Sequence, residues 1–179
     1  MKTLVVYKSH TGFTQRYAQY IGGQLHAEVL PFSGVNSRTM SLYDRVIYGG
    51  GFYAGSLNGL KKARAMFRDS SAKEFIVFAV GAMPPDSPLL ENTWKRNLTE
   101  EELKAVPHYY MVGGLDYDHM KTAHKMMMKV AIGRVKAARQ RDESTETFLR
   151  ICSQSFDGFR PSYAEPMLQY LKEKENENS

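Results

Sequence analysis

The run Ser9-His10-Thr11-Gly12-Phe13-Thr14 places three hydroxyls and a glycine directly behind a short apolar stretch, Thr3-Leu4-Val5-Val6-Tyr7, and ahead of a helical pattern. Residues of these types in this order suit the binding of a phosphate. The first N–H groups of a helix have no acceptor within it and lie at the positive end of its dipole, so an anion seated among them satisfies several donors at once. The hydroxyls of Ser9, Thr11 and Thr14 add donors, while His10 either touches the phosphate or faces solvent. The run lacks the Gly-x-Gly-x-x-Gly of a dinucleotide turn and the Gly-Lys-Ser/Thr ending of a triphosphate loop, which makes NAD and nucleoside triphosphates poor fits. The plainer reading is that Ser9 and Thr11 cap the helix, the commonest reason for such residues before a helical run.

A phosphate loop of this kind has to be mounted on a strand and a helix, and the periodicity of the chain supplies both. It predicts a strand at 2–7, a helix at 13–25, and a short strand at 27–32 ended by Pro31 and Ser33-Gly34. Arg45-Val46-Ile47-Tyr48 is a second buried run, followed by helical spacing from Leu57 to Phe67. Phe75 to Val80 is the strongest core strand, residues 90–105 look helical, and Tyr109 to Val112 is the next strand candidate. Tyr163 to Lys174 makes a closing helix, with a frayed polar tail from Glu175. Strands alternating with helices imply a parallel sheet covered on both faces, because parallel neighbours need crossover connections. The expectation is an α/β fold with a doubly wound five-stranded parallel sheet. In the order 2-1-3-4-5, ligands bind outside the carboxyl ends of the strands, at the switch point between strands one and three.

Three loops fall at that end. Gly49-Gly50-Gly51-Phe52-Tyr53-Ala54-Gly55 follows strand three. Its glycines would let backbone approach a flat ligand while Phe52 or Tyr53 supplies a stacking face; alternatively it is a flexible turn with surface aromatics. Gly81-Ala82-Met83-Pro84-Pro85 would close the other side, and Gly113-Gly114-Leu115-Asp116-Tyr117 follows strand five.

Ser9-x-Thr11-Gly12-x-Thr14 after an N-terminal strand resembles the FMN-phosphate loop of the flavodoxin family, with Phe13 standing where that family usually has a small polar residue. Tyr53-Ala54-Gly55 before a helix, then Val77 to Gly81, is similar to short flavodoxin-domain proteins of anaerobic bacteria. Gly113-Gly114-Leu115-Asp116-Tyr117, followed by Met126-Met127-Met128-Lys129, resembles the flavodoxin-like protoporphyrinogen oxidases that pass electrons to quinones. The resemblance spans residues 1 to about 132 and the last helix. It implies a flavodoxin-like sheet and FMN as cofactor. The implied contacts are Ser9, His10, Thr11, Gly12, Phe13, Thr14, Gly51, Phe52, Tyr53, Ala54, Gly81, Ala82, Met83, Asp116 and Tyr117, with no metal. The flavin would carry the redox chemistry, so no catalytic side chain is named.

Composition sets the remaining bounds. With 179 residues and 42% hydrophobic content, the chain fits a single domain with a normal core. No stretch approaches the roughly 20 apolar residues of a membrane span, and the start lacks a cleavable-signal layout, so a cytoplasmic protein is expected, peripheral at most at the inner membrane face. Cys152 is the only cysteine and reads as structural. The formal charge is +5 and the sequence pI about 9.2, unlike the acidic balance typical of flavodoxin electron carriers. A basic surface favours acidic partners or an anionic membrane, and near a flavin ring it would ease reduction to the anionic form.

Much of that charge lies in an accessory segment, about 118–160, that a minimal fold does not need. Lys121, Lys125, Lys129, Arg134, Lys136, Arg139 and Arg141 occur with no Asp or Glu among them, interleaved with Met126, Met127, Met128, Val130, Ile132 and Val135. Two readings stay open: an amphipathic helix packed on the sheet, or a docking surface for a membrane or partner. Gly133 would interrupt the helix, and Arg141 to Thr145 would form an exposed loop. No nucleic-acid motif accompanies the charge. The functional expectation is an FMN oxidoreductase of the protoporphyrinogen-oxidase kind, working with a redox partner protein or quinone. The alternatives are a plain electron carrier and a flavin-free interaction module on the same fold.

Overall fold

Strands as apolar as Phe75 to Val80 leave no face for water, so each side of the sheet needs its own cover of helices. The computed structural model describes residues 1–53, 55–115, 125–126, 129, 132–133 and 155–177, and arranges them in this way. In chain order, β1 (Thr3–Lys8) leads to α1 (Phe13–Leu25), β2 (Glu28–Pro31), α2 (Ser37–Met40), β3 (Arg45–Tyr53) and β4 (Ser56–Leu57). There follow α3 (Leu60–Arg68), β5 (Glu74–Gly81), α4 (Leu89–Asn97), α5 (Glu100–Ala105) and β6 (His108–Val112). The chain ends with β7 (Gly114–Leu115), β8 (Phe156–Asp157) and α6 (Glu165–Glu177). The long strands pair in parallel in the order β2-β1-β3-β5-β6, which is the expected 2-1-3-4-5 arrangement.

Alternate residues of each strand serve opposite layers. Leu4, Val6, Val46, Tyr48, Val77 and Ala79 pack with Leu60 and Ala63 of α3 and Trp94 of α4. Val5, Ile47, Ile76 and Phe78 pack with Tyr17, Ala18 and Ile21 of α1 and with Met167, Leu168 and Leu171 of α6.

The helical stretch 90–105 divides into two helices, because Thr99 starts a new one: its hydroxyl accepts from the Glu102 N–H and the Glu102 carboxylate accepts from the Thr99 N–H. Two expectations change. Gly49, Gly50 and Gly51 belong to β3, which runs on to Tyr53. The protein itself fills the space over two of them, since a Cβ at Gly49 would overlap the Phe78 ring and one at Gly50 would crowd Leu57 and Asn58. The tail from Glu175 does not fray at that residue, for α6 continues to Glu177 and Glu175 pairs with Arg45 at 2.9 Å.

The accessory segment leaves and re-enters through a short stem. β7 and β8 pair antiparallel, Gly114 with Asp157 and Leu115 with Phe156. The returning strand is tied to α1, where Arg16 pairs with Asp157 at 2.6 Å and lies 4.2 Å over the Phe159 ring. The Tyr17 hydroxyl donates to the Val112 carbonyl at 2.6 Å and accepts from the Arg160 N–H at 3.1 Å. Lys125, Met126, Lys129, Ile132 and Gly133 are the described members of the basic segment. Met126 and Lys129 are exposed, and Gly133 is helical rather than a break. Cys152 and Arg141 to Thr145 lie outside the described residues. Among the described residues, no helix is long and apolar enough to cross a membrane, and no His, Cys, Asp and Glu cluster could hold a metal.

The opposite end of the sheet is held by a buried ion network. Arg45, with no exposed surface, donates to Glu74 at 2.6 Å, and Lys174 of α6 reaches the other Glu74 oxygen at 2.5 Å. Burial alone would raise the Glu74 pKa, but the hydrogen bonds from Lys174 and Arg45 outweigh it and hold the carboxyl below its ordinary value. The native state therefore binds fewer protons here than the unfolded chain, so this stabilisation is complete above the ordinary carboxylate pKa and fades as pH falls below it. Glu74→Gln is expected to cost about 3 kcal/mol at pH 7, since it leaves Arg45 buried with only the half-exposed Glu175 carboxylate beside it. That corresponds to a Tm lowered by roughly 6–12 °C. Thermal melts at pH 7 and pH 3.5 check this, and a deficit that does not shrink at the lower pH would refute the ionic account.

Candidate functional site

Strand register brings the loops to one rim. Lys8 stands level with Gly50, Gly51 with Val80, and Gly81 with Val112. Ser9, the β3–β4 turn, Ala82 and Gly113 therefore leave the sheet side by side, and the strand order reverses between β1 and β3.

At that point Gly12 forms the N-cap of α1 with φ +88°, a left-handed conformation that glycine adopts without strain, and among the described residues nothing lies within 4 Å of where a Cβ would sit. The cap reading of Ser9 and Thr11 does not hold. No side chain caps α1, and Ser9 Oγ instead accepts from the Gly12 N–H at 3.0 Å, closing the turn ahead of the helix. The first turn of α1 carries no acidic residue, so its leading N–H groups present an uncancelled positive end. His10 and Thr11 are exposed and Thr14 is buried. A Cβ on Gly51 would lie 3.7 Å from Thr14 Oγ1 and 3.6 Å from the Tyr53 ring, and that ring meets His10 edge to face at 5.3 Å. Ser9, His10, Thr14, Gly51 and Tyr53 are thus neighbours, although 37 residues of chain separate Thr14 from Gly51.

Phe52 and Tyr53 go to opposite sides, as consecutive strand residues must. Phe52 packs on Trp94 at 5.3 Å and Tyr110 at 6.0 Å, so it belongs to the core and is not the stacking face. Tyr53 remains half-buried beside the phosphate loop, its hydroxyl held neutral as burial raises its pKa. Phe13 is a second correction. Its ring is buried against Gly113 and Gly114, where a Cβ would crowd it, so what it offers the loop is its main-chain N–H. An open cleft of about 370 Å³ lies alongside, lined by Thr11, Phe13, Leu115, Ser155, Phe156 and Asp157.

Gly81, Ala82 and Met83 are half-buried on the far side of the rim. Their loop is held by Tyr110, whose hydroxyl donates to the Met83 carbonyl at 2.9 Å and whose ring lies against Gly81. Ala54, Asp116 and Tyr117 lie outside the described residues. Sequence reasoning missed the residues that hold these loops. Tyr110 reads as one more strand aromatic, and Asn97 as a position within the 90–105 helical stretch, yet the Asn97 amide bonds the main chain of Gly55 and Leu57. Their spacing from the loops they serve carries no local signal.

The donor set matches a phosphate monoester: helix N–H groups, the hydroxyls of Ser9, Thr11 and Thr14 around a left-handed glycine, and no carboxylate in the turn. The residues present therefore fit the phosphate end of a mononucleotide cofactor such as FMN.

A family model described as the flavodoxin domain matches residues 4–142. Among solved structures, a flavodoxin from the domain Archaea is 16% identical, with 85% of this chain and 94% of that chain covered and a TM-score of 0.42. Oxidised flavodoxin 1 from Bacillus cereus is 15% identical over 86% and 95% of the two chains, with a TM-score of 0.41. A flavodoxin, WrbA-like protein from Agrobacterium tumefaciens is 17% identical over 84% and 94%, with a TM-score of 0.42. No curated protein matches the chain. Since the family model covers most of the sequence, including the phosphate loop and all five parallel strands, the chain belongs to the flavodoxin-domain family and its cofactor is FMN.

Proposed function

We propose that the chain is an FMN-dependent oxidoreductase of the protoporphyrinogen-oxidase kind that delivers electrons to a quinone or a similar acceptor. The observation that carries this reading is where the accessory segment is mounted. Leu115 and Phe156, paired across the β7–β8 stem, line the same cleft as Thr11 and Phe13 of the phosphate loop. A plain electron carrier needs nothing there, whereas an enzyme that binds a large substrate or docks on an acceptor needs added surface beside its flavin. The resemblance of Gly113 to Tyr117 and of Met126 to Lys129 to that class points the same way.

When bound, FMN supplies the electron transfer itself. The chain's own residues bind and orient it. The leading N–H groups of α1 and the hydroxyls of Ser9, Thr11 and Thr14 hold the phosphate, which fixes one end of the cofactor. Tyr53 on one side and the Gly81-Ala82-Met83 loop on the other bound the ring. The basic segment Lys121 to Arg141 makes peripheral contact with an anionic membrane face, where a quinone acceptor is dissolved. Each Lys or Arg near such a surface contributes about 1 kcal/mol.

Three outcomes are expected. Thr14→Val removes one hydroxyl from a charged phosphate and weakens FMN binding about tenfold or more, while riboflavin, which lacks the phosphate, binds as before. Fluorescence titration with both flavins reads this, and equal losses for the two would move the phosphate elsewhere. The holoprotein oxidises a porphyrinogen in the presence of a soluble quinone; failure to turn over either compound would make it a plain carrier. In sedimentation with vesicles, it binds those rich in anionic lipid and releases them as salt rises, and replacing Lys121, Lys125 and Lys129 with Gln weakens that binding.

A further inference from the structure

We infer that Asn97 is a positioning residue for the cofactor site: from the end of α4 it holds the β3–β4 turn in place, and Tyr53 with it, before FMN arrives. The inference rests on the reading of Tyr53 as a flank of the flavin and names the residue that makes that flank rigid. The hairpin cannot do so unaided. Its ladder consists of two pairs, Phe52 with Leu57 and Tyr53 with Ser56, and a two-stranded hairpin that short is marginal in water.

The Asn97 amide supplies what the ladder lacks. Its Oδ1 accepts from the Leu57 N–H at 2.7 Å, and its Nδ2 donates to the Gly55 carbonyl at 2.8 Å and to the Thr93 carbonyl at 2.7 Å. Both amide protons are therefore used, one within α4 and one across to the turn. The bond to Thr93 also fixes which way the amide faces. Exchanging its O and N would set an NH2 against the Leu57 N–H and an oxygen against two carbonyls, so only one orientation satisfies the site. Asn97 is half-buried, Gly55 holds φ +81°, and Arg96 lies 3.3 Å from where a Gly55 Cβ would sit.

α4 grips the hairpin a second time through Trp94, which meets the Phe52 ring edge to face at 5.3 Å. Because Phe52 and Tyr53 are consecutive strand residues, fixing the first on α4 aims the second at His10 and the phosphate loop, 5.3 Å away. A turn already held in its bound form spares the ordering cost when the ligand binds. That makes Asn97 matter to flavin affinity without touching the flavin.

The test compares Asn97→Ala and Asn97→Asp with the unaltered chain. Asp keeps the volume and the acceptor for Leu57 but loses the donors to Gly55 and Thr93. In the apoprotein, hydrogen exchange read by mass spectrometry is expected to rise about tenfold across the peptide spanning 52–58 in Asn97→Ala, with far-UV circular dichroism unchanged. FMN and riboflavin are expected to lose affinity by the same factor, about tenfold, because the ring side is loosened and the phosphate loop is intact. The bound flavin is expected to fluoresce more strongly as Tyr53 quenches it less. Faster exchange with wild-type affinity and fluorescence would overturn the inference, leaving Asn97 a merely structural residue, and so would unchanged exchange. Should Asn97→Ala not fold, Asn97→Asp decides by the same readouts. Should the unaltered chain bind no flavin at all, the site reading fails, and exchange in the apoprotein still decides whether Asn97 holds the turn.

Discussion

The parallel pairing of β1 with β3 is the constraint from which the rest of this molecule follows. Lys8 stands beside Gly50, so the chain leaves both strands in the same direction and at the same height. The loop that starts at Ser9 and the hairpin that carries Tyr53 have no option but to meet. A slip of one residue would turn Val5 and Ile47 from the α1 layer to the α3 layer and carry the whole buried set to the wrong face. The hydrophobic layers thus enforce the register, and the register assembles the site. The polar groups at the rim need only the right backbone exits, which a buried sheet provides with little freedom to drift.

Around that junction the fold uses single side chains as ties between distant segments. Tyr17 joins α1 to the end of β6 and to Arg160, Asn97 joins α4 to the β3–β4 turn, and Tyr110 joins β6 to the loop of Met83. Each bonds main-chain groups that no strand or helix ladder satisfies. Unpaired backbone near a buried rim is costly, so these ties both stabilise and align the loops. At the other end of the sheet Arg45, Glu74, Lys174 and Glu175 fasten α6 across the strands. The rim is left to chemistry, and the opposite end carries the ionic clamp.

Several of these features were legible along the chain because their causes are local. Apolar runs at Thr3 to Tyr7 and Phe75 to Val80 announce buried strands, and the bounds of α1 follow from its periodicity. The turn between β1 and α1 announces itself through hydroxyls and a glycine between a strand and a helix. The Thr99-x-x-Glu102 signal that separates α4 from α5 is equally local. The glycines after Tyr48 suit a loop as well as a strand, but here they make room for Phe78 and Leu57. No local pattern distinguishes the two uses.

What the sequence determined by itself was everything governed by nearest neighbours and by the period of burial: the alternation of strands and helices, the sheet order it implies, and the type of ligand group its first loop can grip. The tertiary structure alone decided which aromatic of Phe52 and Tyr53 faces the site, why Phe13 is packing material, and which residues hold the loops still. Those outcomes depend on contacts such as Asn97 with Gly55, 42 residues apart. A hydrogen bond across that distance is created by the packing of α4 on the sheet, and the amino acids at its two ends carry no mark of it until the chain has folded.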